Sequence, residues 1–133
     1  MFKKESEFQR FVCDMFRFRP FHYVLNTHGH SMQKPGLPDL YVSGPRFRGW
    51  VELKMRGRWL SPVQEDHIKS LVFAYDHVII LQEDCESLKV CPFFICDGML
   101  LYREFCKKVA TKSDLRSEIE KALETWMPRN KDA

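Results

Sequence analysis

Residues 36–64, GLPDLYVSGPRFRGWVELKMRGRWLSPVQ, decide how the chain is read. Leu37 to Ser43 is an apolar run entered through Pro38 and closed by Gly44-Pro45, the pattern of a strand and a turn. Trp50, Val51 and Leu53 form a second run with partial alternation, ending in the basic stretch Arg56-Gly57-Arg58. Ser61-Pro62-Val63-Gln64 then opens a helix, with serine as N-cap, proline at the first helical position and glutamine at capping-box spacing. The helix is predicted to run to about Asp76, burying Ile68, Leu71, Val72 and Tyr75 on one face. His77 to Gln82 is a short, β-branched apolar run that suits a buried central strand. The helix between these two strands is long enough for a crossover, so a parallel pair is expected.

Upstream, Phe8, Phe11, Val12 and Met15 recur at i, i+3, i+4 and i+7, which predicts an amphipathic helix over Glu5–Phe18. Arg19-Pro20 ends it, because the residue before proline is pushed out of the helical region. His22–Asn26 reads as a strand and Gly29–Gly36 as a polar loop. Downstream, Phe93–Cys96 and Met99–Tyr102 flank Asp97-Gly98, a strong hairpin signal. Ser113–Trp126 carries Leu115, Ile119, Ala122 and Trp126 on one helical stripe and stops before Pro128. The expected fold is α/β: a mixed β-sheet flanked by helices, with an α-β-β-β-α-β core, a C-terminal hairpin and a helix. At 133 residues the chain suits one domain spanning 1–133.

Hydrophobic residues at 44% and charged residues at 29% exclude wholesale disorder and fibrous structure. The longest stretch without Lys, Arg, Asp or Glu, Pro20–Gln33, is polar in its second half and shorter than the roughly 18 apolar residues a membrane helix needs. Met1-Phe2-Lys3-Lys4 leads into Glu5-Ser6-Glu7 and not into an apolar segment. The expectation is a soluble intracellular protein, cytoplasmic or associated with nucleoid or nucleus, with no membrane partner. Five cysteines, an odd number without a C-x-x-C pair, predict reduced thiols, most of them small core residues. A metal cluster from Cys85, Cys91, Cys96 and Cys106 matches no zinc or iron–sulfur spacing. The net charge of +3 is unevenly spread: Met1–Trp59 has 11 Lys or Arg against 5 Asp or Glu, whereas Leu60–Gly98 has 2 against 7. A polyanion would be drawn to the first half, although charge alone fits an ordinary solvated surface equally well.

The chemistry gathers around Asp39 and, thirteen residues on, Glu52-Leu53-Lys54. Strand alternation sends Glu52 and Lys54 to one face and Leu53 to the other. If the strand of Asp39 lies alongside, two carboxylates and an ammonium converge, and with the Leu53 carbonyl they make an all-oxygen site suited to Mg²⁺. Glu52 and Lys54 alone would be no more than a surface ion pair worth about 0–1 kcal/mol. The turn before Asp39, the strands and the capped helix after Lys54 outweigh that reading in combination. Lys34, Arg56 and Arg58 flank the site and are the best DNA phosphate-contact candidates, although an ordinary solvated basic side chain fits any one of them about as well. His28-Gly29-His30 lacks a third ligand at zinc spacing and reads as a DNA-facing loop. Phe8, Phe11, Phe93 and Phe94 are read as core residues, not base-stacking platforms.

Gly36-Leu37-Pro38-Asp39, Val51-Glu52-Leu53-Lys54 and Leu60-Ser61-Pro62-Val63-Gln64, in this order, resemble the PD-(D/E)XK nuclease superfamily and specifically its VRR-NUC branch. The resemblance covers about Glu5 to Tyr75. It implies a restriction-endonuclease-like core and Mg²⁺- or Mn²⁺-dependent phosphodiester hydrolysis, often on branched or four-way-junction DNA, by small proteins that act as homodimers. Carried onto this chain, it implies Asp39 and Glu52 as metal carboxylates, Lys54 as catalytic lysine and Gln64 as the glutamine that follows. Glu7 resembles the acidic residue of the first helix, with Glu5 as its competitor. A solvated helix-start glutamate is the alternative for Glu7, and the capping box by itself accounts for Gln64. A catalytically inactive DNA-binding or nuclease-inhibiting module with the same fold, and an RNA-directed nuclease, remain open.

Overall fold

The computed structural model describes residues 1–17, 19–27 and 35–129. In chain order they form α1 (Glu5–Arg17), β1 (Tyr23–Asn26), β2 (Leu40–Ser43), β3 (Arg48–Met55), α2 (Pro62–Phe73), β4 (Val78–Asp84), β5 (Ser87–Cys96), β6 (Met99–Tyr102), β7 (Phe105–Lys108) and α3 (Lys112–Trp126). Seven strands make one mixed sheet, ordered β1-β2-β3-β4-β5-β6, with β7 beside β5. Among the described strands only β3 and β4 run parallel, with Glu52 opposite Ile80 and Lys54 opposite Gln82, and α2 is the crossover between them. The mixed sheet flanked by helices expected from the sequence is therefore present, with its α-β-β-β-α-β order intact.

Alternation divides the core between the two faces. Val51, Leu53, Ile79 and Leu81 pack with Phe8 and Val12 of α1 and Leu115 and Ile119 of α3. On the other face Val78 packs with Ile68 and Val72 of α2, joined by Trp50 and Phe93. Glu52 and Lys54, between Val51, Leu53 and Met55 in the pleat, lie on the α2 face.

Three differences from the sequence reading have physical causes. First, α2 stops at Phe73, and Tyr75 is 95% exposed, not buried. The Asp76 N–H returns to the Leu71 carbonyl and the Tyr75 N–H to Val72, a Schellman closure that puts Tyr75 at φ +68, where glycine is usual. Second, β5 begins at Ser87, well before Phe93, and β7 is an additional strand. Pro92 disguises β5, yet it falls where β5 changes partner, from Val90↔Phe105 on β7 to Phe93↔Tyr102 on β6. Its carbonyl accepts from Arg103 N–H on that side, so its missing donor breaks no ladder. Third, Cys91 is buried and Cys13 half-buried, but Cys85, Cys96 and Cys106 are exposed rather than core residues, because they stand in a turn or on sheet-edge positions. Burial pushes the Cys91 thiol up to about 11. The Asp97-Gly98 hairpin forms as expected, with positive φ at both residues. Phe8 is buried, while Phe94 is partly exposed beneath the Arg103 guanidinium, 5.4 Å from its ring centre. Among the described residues, no helix is long and apolar enough to cross a membrane.

Candidate metal and phosphate site

Antiparallel pairing of β2 with β3 ends at Leu40↔Val51, which leaves Asp39 just beyond the ladder and level with Glu52. Thr27 fixes that exit: its hydroxyl donates to the carbonyls of Pro38 at 2.7 Å and Asp39 at 3.1 Å, and its N–H to Asp39 at 2.9 Å. Asp39 Oδ2 accepts the Leu53 N–H at 2.8 Å, and the Asp39 N–H donates to Glu52 Oε1 at 3.2 Å. The Glu52 carboxylate is thus fixed to the backbone of Asp39, and the Asp39 carboxylate to the backbone of Leu53, the residue after Glu52. Because the N–H and C=O of a strand residue point the same way, the Leu53 carbonyl faces the side on which its N–H meets Asp39.

Gln64 completes the cluster from α2. Its Oε1 accepts the Ser61 N–H at 2.9 Å, closing the capping box, and also the Lys54 ammonium at 3.2 Å. Its Nε2 donates to Glu52 Oε2 at 2.8 Å. One side chain therefore both starts the helix and bridges the two charged groups of β3. Lys54 Nζ stands 3.8 Å from Glu52 Oε2. Asp39, Glu52 and Lys54 are all buried, Glu52 at 1% exposure. Burial first, then the hydrogen bond and charge of Asp39, push the Glu52 carboxyl up from 4.5 to about 9, against the opposing pull of Lys54.

A cleft of about 970 Å³ opens beside Lys54 and Gln64, with Lys3, Glu5, Arg56 and Arg58 on its walls. Glu5 therefore reaches the cleft, whereas Glu7 is exposed and accepts the Lys3 N–H at 3.1 Å in the first turn of α1. Arg56 is exposed and pairs with Asp84 at 3.5 Å. Lys34 and the His28–His30 loop lie outside the described residues. Two residues that sequence reading passed over support the site: Thr27, and Gln82, whose Nε2 donates to the carbonyls of Met55 at 3.1 Å and Arg58 at 2.7 Å. Gln82 had one signal, a polar side chain closing an apolar strand; Thr27 had none.

The donor set suits a hard divalent cation. Two carboxylates and a backbone carbonyl provide only oxygen, and burial, followed by Asp39, disfavours the ionised form of Glu52, which a bound cation would offset. Among the described residues, no three His, Cys, Asp or Glu side chains form a metal cluster. The set therefore fits an ion that keeps several waters, such as Mg²⁺ or Mn²⁺, and not a fully protein-ligated one.

No protein-family model and no curated protein matches this chain. Among solved structures, it is similar to Hjc, a Holliday junction resolvase from Archaeoglobus fulgidus, at 11% identity over 92% of this chain and 94% of that one, with a TM-score of 0.49. That likeness leaves the chemistry to be read from this chain's own residues.

Proposed function

We propose that the chain is a metal-dependent nuclease of the VRR-NUC type that hydrolyses phosphodiester bonds in DNA, with branched and four-way-junction DNA among its substrates. The observation that carries this reading is the buried Asp39–Glu52 pair, with Lys54 and Gln64 bonded to it at the edge of a basic cleft. Asp39, Glu52 and the Leu53 carbonyl would hold Mg²⁺ or Mn²⁺; Glu5 lines the same cleft, and Glu7 is the alternative acid from α1. When bound, the ion would acidify a water and neutralise charge on the scissile phosphate.

The remaining roles belong to the protein. Lys54 offers a cation held by Gln64 Oε1, so its ammonium is positioned before substrate arrives. Its donors can orient a nucleophilic water or stabilise charge growing on the phosphoryl oxygens. Gln64 keeps Lys54 and Glu52 in register through one amide, and the capping box fixes that amide to the first turn of α2. Arg58 and Arg56 lie along the cleft wall where flanking phosphates would pass, with Lys34 as a third candidate contact. A homodimer would present two such sites to a two-fold symmetric substrate.

The test is cleavage of single-stranded, duplex, flap and four-way-junction DNA and a structured RNA, each with Mg²⁺, Mn²⁺ or EDTA. The expected result is metal-dependent cleavage that Asp39→Ala and Lys54→Ala lower by about a hundredfold or more with the fold intact, as loss of preorganised electrostatic groups typically does. Gln64→Ala is expected to cost less, since it removes the cap of α2 and the positioning of Lys54 and Glu52 but neither a metal carboxylate nor the lysine. Binding without cleavage under every metal would return the chain to the inactive-module reading, and cleavage confined to RNA would change the substrate.

A further inference from the structure

The turn from β3 to α2 carries more than the candidate phosphate contacts. Arg58 N–H closes on the Met55 carbonyl at 3.1 Å with Gly57 at φ +77, and Gln82 pins the carbonyls of Met55 and Arg58 from below. This hydrogen-bonded turn leads into Trp59, whose ring centre lies 5.4 Å from that of Tyr102, which in turn lies 5.4 Å from Phe93. The three rings form a row that begins in the core packed under α2 and ends at the surface: Phe93 packs in that core, while Tyr102 is 44% exposed and Trp59 36%. Trp59, Arg56 and Arg58 line both the cleft beside Lys54 and a second groove of about 430 Å³ that contains Tyr102, within the range of small-ligand sites.

The charges in the second groove are sorted. Arg56 faces Asp84 and Lys89 faces Glu104, each at 3.5 Å, whereas Arg58 has no ion pair among the described residues. An aromatic surface beside a guanidinium that has no ion pair among the described residues suits a ligand with a flat π-face and a phosphate close to it. The geometry points to Trp59 and Tyr102 as a stacking platform for an unpaired nucleobase of DNA, with Arg58 on its phosphate and the neighbouring phosphodiester directed to the Lys54 cleft. This rests on the nuclease reading and deepens it, since it selects strands with an unstacked nucleotide beside the cut. Stacking reads the base face and not its edge, so the preference would be for DNA structure and not for sequence.

The experiment is equilibrium binding by the full chain in EDTA, where nothing is cut, to a blunt duplex and to the same duplex bearing an unpaired thymidine flap. Trp59→Ala is expected to weaken flap binding roughly 5- to 100-fold and leave the blunt duplex within about twofold. Trp59→Phe keeps a ring and should restore most of the flap affinity, and Tyr102→Leu should reproduce part of the loss. Equal loss on both DNAs, unchanged flap affinity in Trp59→Ala, or no rescue by phenylalanine would each overturn the platform. The two readings fail separately: a protein that never cleaves but shows the Trp59-dependent flap preference retains the platform, while one that cleaves with flap affinity indifferent to Trp59 loses only the platform.

Discussion

Glu52 concentrates the physics of the site. It is buried beside a second carboxylate, and its carboxyl is raised to about 9 by burial and by Asp39. An acid with a higher pKa in the folded than in the unfolded state stabilises the fold fully below the unfolded value, and that stabilisation is lost as pH rises through the folded one. The metal-free protein should therefore lose thermal stability between about pH 5 and about pH 9, and Glu52→Gln should flatten that slope. Mg²⁺ must displace the same proton, so its stabilising effect should grow with pH over this window. Thermal melts across pH with and without metal check both; a wild-type slope matching that of Glu52→Gln would refute the assignment. Spacing in the chain puts Glu52 and Lys54 on one face because strand alternation is a local rule, whereas the place of Asp39 beside them depends on the pairing of β2 with β3. It does not reveal Thr27 or separate Glu5 from Glu7, whose relation to the cleft depends on how α1 meets a sheet formed far along the chain.

At the scale of elements, the decisive joint is the approach of the segment before β2 to α2. Gly36 has φ +89, and a Cβ there would lie 2.6 Å from Val63 Cγ1, 2.8 Å from His67 Cδ2 and 3.0 Å from the Val63 carbonyl. Gly57 has a similar φ of +77 with nothing within 4 Å of the added carbon. Gly57→Ala should cost about 1–2 kcal/mol from backbone conformation alone. Gly36→Ala should cost more, with strain on the order of 1–3 kcal/mol joined by the clash, and should also weaken metal binding, because relief requires moving the segment that carries Asp39. Urea denaturation and metal titration of the two variants make the comparison; equal losses, with metal affinity intact in both, would sink it. The start of α2 is legible because capping is a four-residue code, Ser61 to Gln64. Its end is not, because Tyr75 stands where glycine would have announced the stop.

Across the whole molecule, β1 ends the strand order and pairs, among the described residues, with β2 alone, and Tyr23 and Leu25 on it are 59% and 38% exposed. An open edge with apolar side chains is a template for strand pairing. If the proposed homodimer uses it, sedimentation should show a concentration-dependent dimer that Leu25→Lys shifts toward monomer; a dimer indifferent to that change would place the interface elsewhere. By itself the amino-acid sequence determined the helix and strand identities around residues 36–64, the α-β-β-β-α-β order and the shared strand face of Glu52 and Lys54, since each follows from spacing over a few residues. Only the tertiary structure decided the register of the expected parallel pair, Glu52 opposite Ile80, that β5 divides its edge between β6 and β7, and that Gln64 bonds to both Glu52 and Lys54. The Glu52 proton affinity and the Phe93–Tyr102–Trp59 row belong to the same class. Burial and contact between distant segments are properties of the packed chain, and no local pattern encodes the dielectric or the neighbours that a side chain will meet there.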